Sequence, residues 1–351
     1  NASIFQPPVD ESGPFGYLAE KASTNLAIQS EDFGTSWSAQ NATVTANVAV
    51  APDGTTTMDR LVVNTNNGYH DAYQGQTVTV GTNNTYSVYM KDDGAGFGGI
   101  CMGGFQNLSI VVDLSTGLVT DTQTTGSGVL VAYGCEDAGN GIYRVWLSGN
   151  IGISGSYMIP FASNAAVPAI YQEGRPKYTG VLGEDILIWG AQAELGTYPT
   201  SYIATTTTAV TRNADVLTVA ESGAIDYTIG TLSLEASRAH SVDDANQSII
   251  GAGGYLMYST SGITDTGNPN SGATVAVGIS RLNNPVQSAL VWGGSTKDVY
   301  HGVATASGSF AAPLTSGDII VGGGQGGPSG MMSRNLKIFN TELTAAEVGD
   351  L

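Results

Sequence analysis

The chain has 351 residues, among them 48 Gly and 16 Tyr, with 12% charged residues and a formal net charge of −18. Its 30 Asp and Glu face only 12 Lys and Arg, with no basic run or stripe. That excludes a nucleic-acid partner, whose binding requires cations that displace counterions, and disfavours an anionic membrane surface. Five lysines in the whole sequence cannot build the polar faces of long amphipathic helices, so an all-β, turn-rich protein with two cores is expected for this length.

Residues 1–20 mix prolines and glycines with scattered apolars and are expected to be an extended lead-in rather than a core element. The opening run NASIFQPPVD lacks the positive and apolar regions of a signal peptide. No apolar stretch approaches the roughly 20 residues of a membrane span, so no membrane insertion is expected. From residue 24, short runs rich in Val, Ile, Thr and Tyr alternate with Gly/Asn/Asp turns. These predict strands at 25–29, 42–50, 57–63, 71–80, 85–91, 97–104, 108–113, 117–123, 128–135, 141–149, 156–162, 168–171 and 184–194. Hairpin signals stand at Asn67-Gly68, Ser115-Thr116-Gly117 and Asn140-Gly141.

The run Thr205–Thr211 (TTTTAVT) breaks the pattern, and a domain boundary is expected near Arg212. A first domain then spans 21–212 and a second 213–351. The second is predicted to hold strands near 215–219, 230–237, 247–258, 272–281, 286–293, 296–303 and 317–323. A last strand at 335–343 leads into one helical turn, with Thr344 as N-cap and Glu347 as capping-box partner.

Four ordered segments of the first half resemble a jelly-roll module of phage tail-fibre, head-spike and related virion surface proteins, described as carbohydrate-binding. They are TNLAIQSEDF (24–33) with Trp37; APDGTTTMDRL (51–61); TYSVYMK (85–91) with GNGIYRVWLSG (139–149); and ILIWGAQAELGTYPTSYI (186–203) running into AVTRNADVLTV (209–219). The resemblance covers about residues 17–219. The closing GMMSRNLKIFNTELTAAEV (330–348) is similar to the last strand and turn of laminin-G-like, concanavalin-type sandwiches, without a legume-lectin sugar signature upstream. The resemblances imply two β-sandwich domains (jelly-roll and concanavalin-like), an extracellular or virion-surface location, other virion proteins as partners, and homo-oligomers, commonly trimers.

A sugar site on a sandwich combines aromatic faces with a few amide or charged groups. Tyr69, His70 and Tyr73, beside Asn66 and Asn67, are the densest such set, although rings at strand edges also serve as half-buried framework. Trp37, Trp146 and Trp189 lie in apolar runs and are expected in the core; Arg144, with Tyr143, Gln192 and Glu194, is a second choice that could hold a sugar carboxylate. The jelly-roll resemblance brings the ends of the first and last strands together, so Glu31, Asp32 and Asp185 are candidate ligands of a structural Ca²⁺, with solvated turn acids as the alternative. Cys101 and Cys135 allow a disulfide between adjacent strands without requiring it, and three scattered histidines (His70, His240, His301) do not make a zinc site.

No G-x-S-x-G elbow occurs, and the acid pairs Asp92-Asp93, Glu136-Asp137, Glu184-Asp185 and Asp243-Asp244 are adjacent in sequence, so on a strand they point to opposite faces. A non-catalytic module that binds cell-surface polysaccharide for host attachment is therefore the leading expectation. A structural or decoration virion protein, or a sandwich lyase or glycosidase, is the alternative.

Overall fold

A computed structural model describes residues 17–78, 81–104, 107–151, 155–169, 171–219, 226, 228–238, 247–252, 255–259, 265–269, 275–277, 286–293, 296–301, 304–309, 319–321 and 331–351. The protein is all-β and consists of two sandwich units, each with two six-stranded antiparallel sheets. Ser23–Arg212 belongs to the first unit and Asn213–Leu351 to the second. Among the described residues the only helix is Ala345–Gly349.

One sheet of the first unit, the front sheet, runs in the order Leu118–Thr125, Asn107–Asp113, Phe97–Gly103, Gly155–Ser163, Asp71–Thr77, Ser38–Gln40. The back sheet runs Val129–Asp137, Ile142–Asn150, Asn84–Asp93, Asp185–Leu195, Met58–Val63, Ala42–Ala49. Alternate residues of both sheets face each other in one core, with Ile100, Met102, Leu108, Ile110 and Met158 from the front meeting Val88, Met90, Val145, Leu147, Ile186 and Ile188 from the back. Each such fully buried aliphatic contributes roughly 1.5–3 kcal/mol.

The residues between them on these strands face outward, yet many are also buried. Asp185–Leu195 is buried along all but its last position. Its Leu187 and Trp189 turn away from the main core to meet Met58, Tyr89 and Ile142, with Tyr202 packed beside them. Gly190, at φ +64°, lies in the bulge where pairing with Asn84–Asp93 shifts register. On the front sheet, Cys101, Val111, Ile159 and Phe161 form an outward-facing cluster against which Tyr73, Phe97 and Tyr171 pack.

Several expectations are corrected. Within the expected extended lead-in, Tyr17–Ala19 is an edge strand of the second unit, paired with Met331–Ser333. Asn67-Gly68 makes no hairpin turn; it pairs with Tyr178–Thr179, and the glycine is needed because a Cβ would stand 2.3 Å from Asn41 Nδ2. The predicted strand at 168–171 is replaced by a small hairpin, Tyr171–Gln172 with Arg175–Pro176. The two cysteines are not on adjacent strands: Cys101 is in the front sheet and Cys135 in the back, and both are free. Asn140-Gly141 does form a turn with both φ values positive, and Trp37, Trp146 and Trp189 are buried.

In the second unit one sheet runs Tyr17–Ala19, Met331–Phe339, Ile229–Arg238, Val286–Gly293, Thr296–His301, Ala304–Ser309. The other runs Leu217–Val219, Ile319–Val321, Gln247–Ala252, Tyr255–Ser259, Asp265–Pro269, Val275–Val277. The final helix is closed by the capping box read from Thr344 and Glu347. Its Val348 packs with Leu343 against Ala289 and Val291. His240 and the pair Asp243-Asp244 lie outside the described residues.

Candidate functional site

The outer face of the front sheet carries an open groove of about 910 Å³, in the range (roughly 300–1,000 Å³) of pockets that take small ligands. Its floor is made by neighbouring strands. Tyr73 and Tyr157 come from Asp71–Thr77 and Gly155–Ser163, which are paired so that Tyr157 stands opposite Gly75. A Cβ at Gly75 would lie at ordinary contact distance, 3.7 Å, from the Tyr157 ring. The two tyrosine rings meet edge to face, with centroids 5.7 Å apart and planes at 83°, so their faces form a corner. Tyr157 is 45% exposed, the condition for stacking on a ligand.

One wall is the Tyr171–Pro176 hairpin. Its two turn residues, Glu173 (φ 52°) and Gly174 (φ 73°), give the type I′ geometry that matches the strand twist. The turn lies flat on the sheet: a Cβ on Gly174 would stand 2.5 Å from the Asn107 Cβ and 3.2 Å from the Cys101 Sγ. Arg175 pins it. Nη1 donates to Asp71 Oδ2 at 2.7 Å and to Gln40 Oε1 at 3.3 Å, and Nη2 donates to Glu173 Oε2 at 2.7 Å. The guanidinium also lies over the Tyr69 ring, 3.9 Å from its centroid, and the Tyr69 hydroxyl bonds to Glu173. The Asp71–Arg175 pair is buried on both sides. Burial pushes the Asp71 carboxyl up to about 6, against the pull of Arg175. Burial likewise raises the Tyr69 hydroxyl, helped by the Glu173 charge.

The expected residues are thus dispersed among different roles. Tyr73 lines the groove, and Tyr69 supports its wall from behind Arg175. His70 is fully buried: its Nδ1 is 2.8 Å from the Asn41 carbonyl, its ring is 4.5 Å from Tyr178, and it lines no part of the groove. Asn67 is exposed but belongs to the separate pairing with Thr179. Arg144 is buried, donating to Ser87 Oγ and the Thr200 carbonyl, so it is a framework residue and not a clamp for sugar carboxylates. Tyr157, Glu173 and Arg175 escape a sequence reading, because their neighbours in the site are about a hundred residues away; the only local signal is the turn dipeptide Glu173-Gly174.

The three acids expected as calcium ligands each accept a hydrogen bond in this structure. Glu31 accepts from the Tyr202 hydroxyl at 3.0 Å, Asp32 closes its own turn by accepting from Gly34 N at 3.0 Å, and Asp185 accepts from Val63 N at 2.9 Å. Among the described residues no group of three or more His, Cys, Asp or Glu converges on one point. One oxygen of each acid is engaged in this way, whereas a Ca²⁺ site draws several oxygens to one centre.

No family model matches this sequence, and neither does any curated protein. Among solved structures, Trypanosoma rangeli sialidase in complex with sialic acid is similar over 83% of this chain and 59% of its own, at 9% identity and a TM-score of 0.31. The LG1–3 region of the laminin alpha2 chain is similar over 78% of this chain and 66% of its own, at 12% identity and a TM-score of 0.27. Mouse laminin alpha1 domains LG4–5 cover 96% of this chain and 93% of their own, at 8% identity and a TM-score of 0.28. Likeness at this level bears on neither activity nor ligand. Among the described residues no helix is long and apolar enough to cross a membrane.

Proposed function

We propose that this protein is a non-catalytic carbohydrate-binding module of a virion surface, attaching to cell-surface polysaccharide through the groove of its first unit. The observation that carries the reading is the right-angled pair Tyr73 and Tyr157 at an open groove edged by the Gln40 amide. Ring faces stack on the C–H surfaces of a sugar, and amide N–H groups donate to its hydroxyls. The virion setting rests on the jelly-roll resemblance of residues 17–219. So do the expected virion partners, the extracellular location and the trimeric assembly. Weak single-site binding in such a groove would become useful through several linked copies.

The enzyme alternative has one attractive feature, an Asp71 carboxyl raised to about 6, as a general acid requires. Against it, Asp71 is fully buried under Arg175 and does not line the groove, so it cannot reach a glycosidic oxygen. The groove carboxylate, Glu173, is held by Arg175 and Tyr69. These engagements favour binding without bond cleavage.

The test is retention of the protein on a panel of immobilised polysaccharides, with Tyr157→Ala and Tyr73→Ala variants whose folding is verified by circular dichroism. Parent retention that falls at least tenfold in Tyr157→Ala is the expected result. Absence of parent retention on every glycan would favour the structural-decoration reading, and unchanged retention in both variants would move the site elsewhere.

A further inference from the structure

We infer that the groove selects neutral saccharides and rejects carboxylated and sulfated ones, with Glu173 as the residue that sets this specificity. The inference rests on the groove being the saccharide site. Arg175 is the only cation among the described residues that line it, and Glu173 is the only acid. An arginine in a sugar groove ordinarily points to a carboxylate ligand, because its planar fork matches two oxygens. Here the fork is already used. One terminal nitrogen serves Asp71 and Gln40, the other serves Glu173, the ring of Tyr69 covers one face, and Nε is buried without a partner.

The local charge follows from these contacts. Asp71 and Glu173 surround a single guanidinium, which leaves the cluster one negative charge in excess. The Glu173 side chain is 58% exposed, whereas that of Arg175 is 8% exposed, so an arriving ligand meets the carboxylate first. Solvent screens the exposed charge only partly at contact distance, and repulsion between two like charges a few ångströms apart shifts binding by about tenfold. What remains for a ligand is neutral: the Gln40 amide and the corner of Tyr73 and Tyr157, since the buried Gln76 and Asn107 amides are bonded to Gln74 and to Gly104 and Thr125. Gln40 faces Arg175 with its carbonyl oxygen, so its amide N–H groups are the end left for a hydroxyl.

The location of Glu173 is informative because a non-glycine residue at φ 52° is disfavoured. The turn nevertheless holds a carboxylate there, bonded to both Tyr69 and Arg175, which places the charge at the groove edge in a defined position.

Affinity electrophoresis decides the matter, using dextran, mannan and galactan as neutral probes and alginate, hyaluronan and chondroitin sulfate as acidic ones. The parent is expected to be retarded by at least one neutral polymer and by none of the acidic ones in 20 mM salt. Glu173→Gln retains acceptors for Arg175 and Tyr69 without the charge, and Glu173→Asn suits the left-handed turn better. Either is expected to raise the ratio of acidic to neutral retention about tenfold. Asp350→Asn, the same charge change on an exposed residue of the other unit, is expected to leave that ratio as in the parent; an equal rise there would assign the selectivity to net charge and overturn the role of Glu173. Parent binding to an acidic polymer that is lost in Tyr157→Ala would overturn the specificity while upholding the groove. Neutral binding that survives Tyr157→Ala and Tyr73→Ala together would overturn the groove itself.

Discussion

Asp71 and Arg175 are the pair on which the groove wall depends, and both are buried. Replacing Arg175 with Met leaves a buried carboxylate without its partner, which is expected to cost about 3 kcal/mol at pH 7.5. The loss should shrink at pH 5, where Asp71 can take up a proton. The sign for the parent follows from the same group. Its carboxyl lies near 6 in the folded protein, against an ordinary 3.8, so the native state holds the extra proton between those values. Stability relative to Asp71→Asn is therefore expected to rise as pH falls from about 7 to 4, by on the order of 2 kcal/mol. Urea titrations of parent and variant at three pH values measure it; a difference that is flat or of opposite slope would show that the Arg175 contact outweighs burial.

At the scale of elements, two glycines with similar backbone angles separate conformational cost from packing cost. Gly141 (φ 74°) ends the Asn140-Gly141 turn, and an added Cβ there meets only Lys91 Cε at 3.8 Å. Gly174 (φ 73°) would carry its Cβ into Asn107. Gly141→Ala is expected to cost about 1 kcal/mol, the left-handed penalty alone. Gly174→Ala is expected to cost more and to lift the Tyr171–Pro176 hairpin, seen as faster hydrogen exchange of its amides and as weaker glycan retention. Thr344→Ala, which removes the capping box of Ala345–Gly349, is expected to lower the stability of the second unit by about 1 kcal/mol.

At the scale of the molecule, the free thiols report on both sheets of the first unit. Burial pushes both Cys101 and Cys135 up to about 12, so neither presents an appreciable thiolate at neutral pH. Two alkylated cysteines are expected by mass after alkylation under non-reducing denaturing conditions. In the native protein at pH 8, Cys101 should not react with an aromatic disulfide reagent, and Cys135, which is partly exposed, should react slowly. A crosslinked mass, or rapid native labelling of Cys101, would contradict its position beneath Gly174.

Most strands, the Asn140-Gly141 turn, the capped last helix and the buried tryptophans were legible in the sequence, because each depends on side-chain alternation or turn chemistry within a few residues. The groove was only partly legible. Tyr73 was identified from a local cluster of rings, but whether Tyr69, His70 or Tyr73 faces solvent depends on what covers each one. His70 is enclosed by Asn41 and Tyr178, and Tyr69 is covered by Arg175. Tyr157, Glu173 and Arg175 arrive from strands and a hairpin whose neighbours in sequence say nothing of Asp71. The donors to Glu31 and Asp185, Tyr202 and Val63, are likewise ones that only the folded chain supplies. Local periodicity decides which residues lie on strands; the pairing of distant strands, and the loop that then lies across them, decides which exposed face becomes a site.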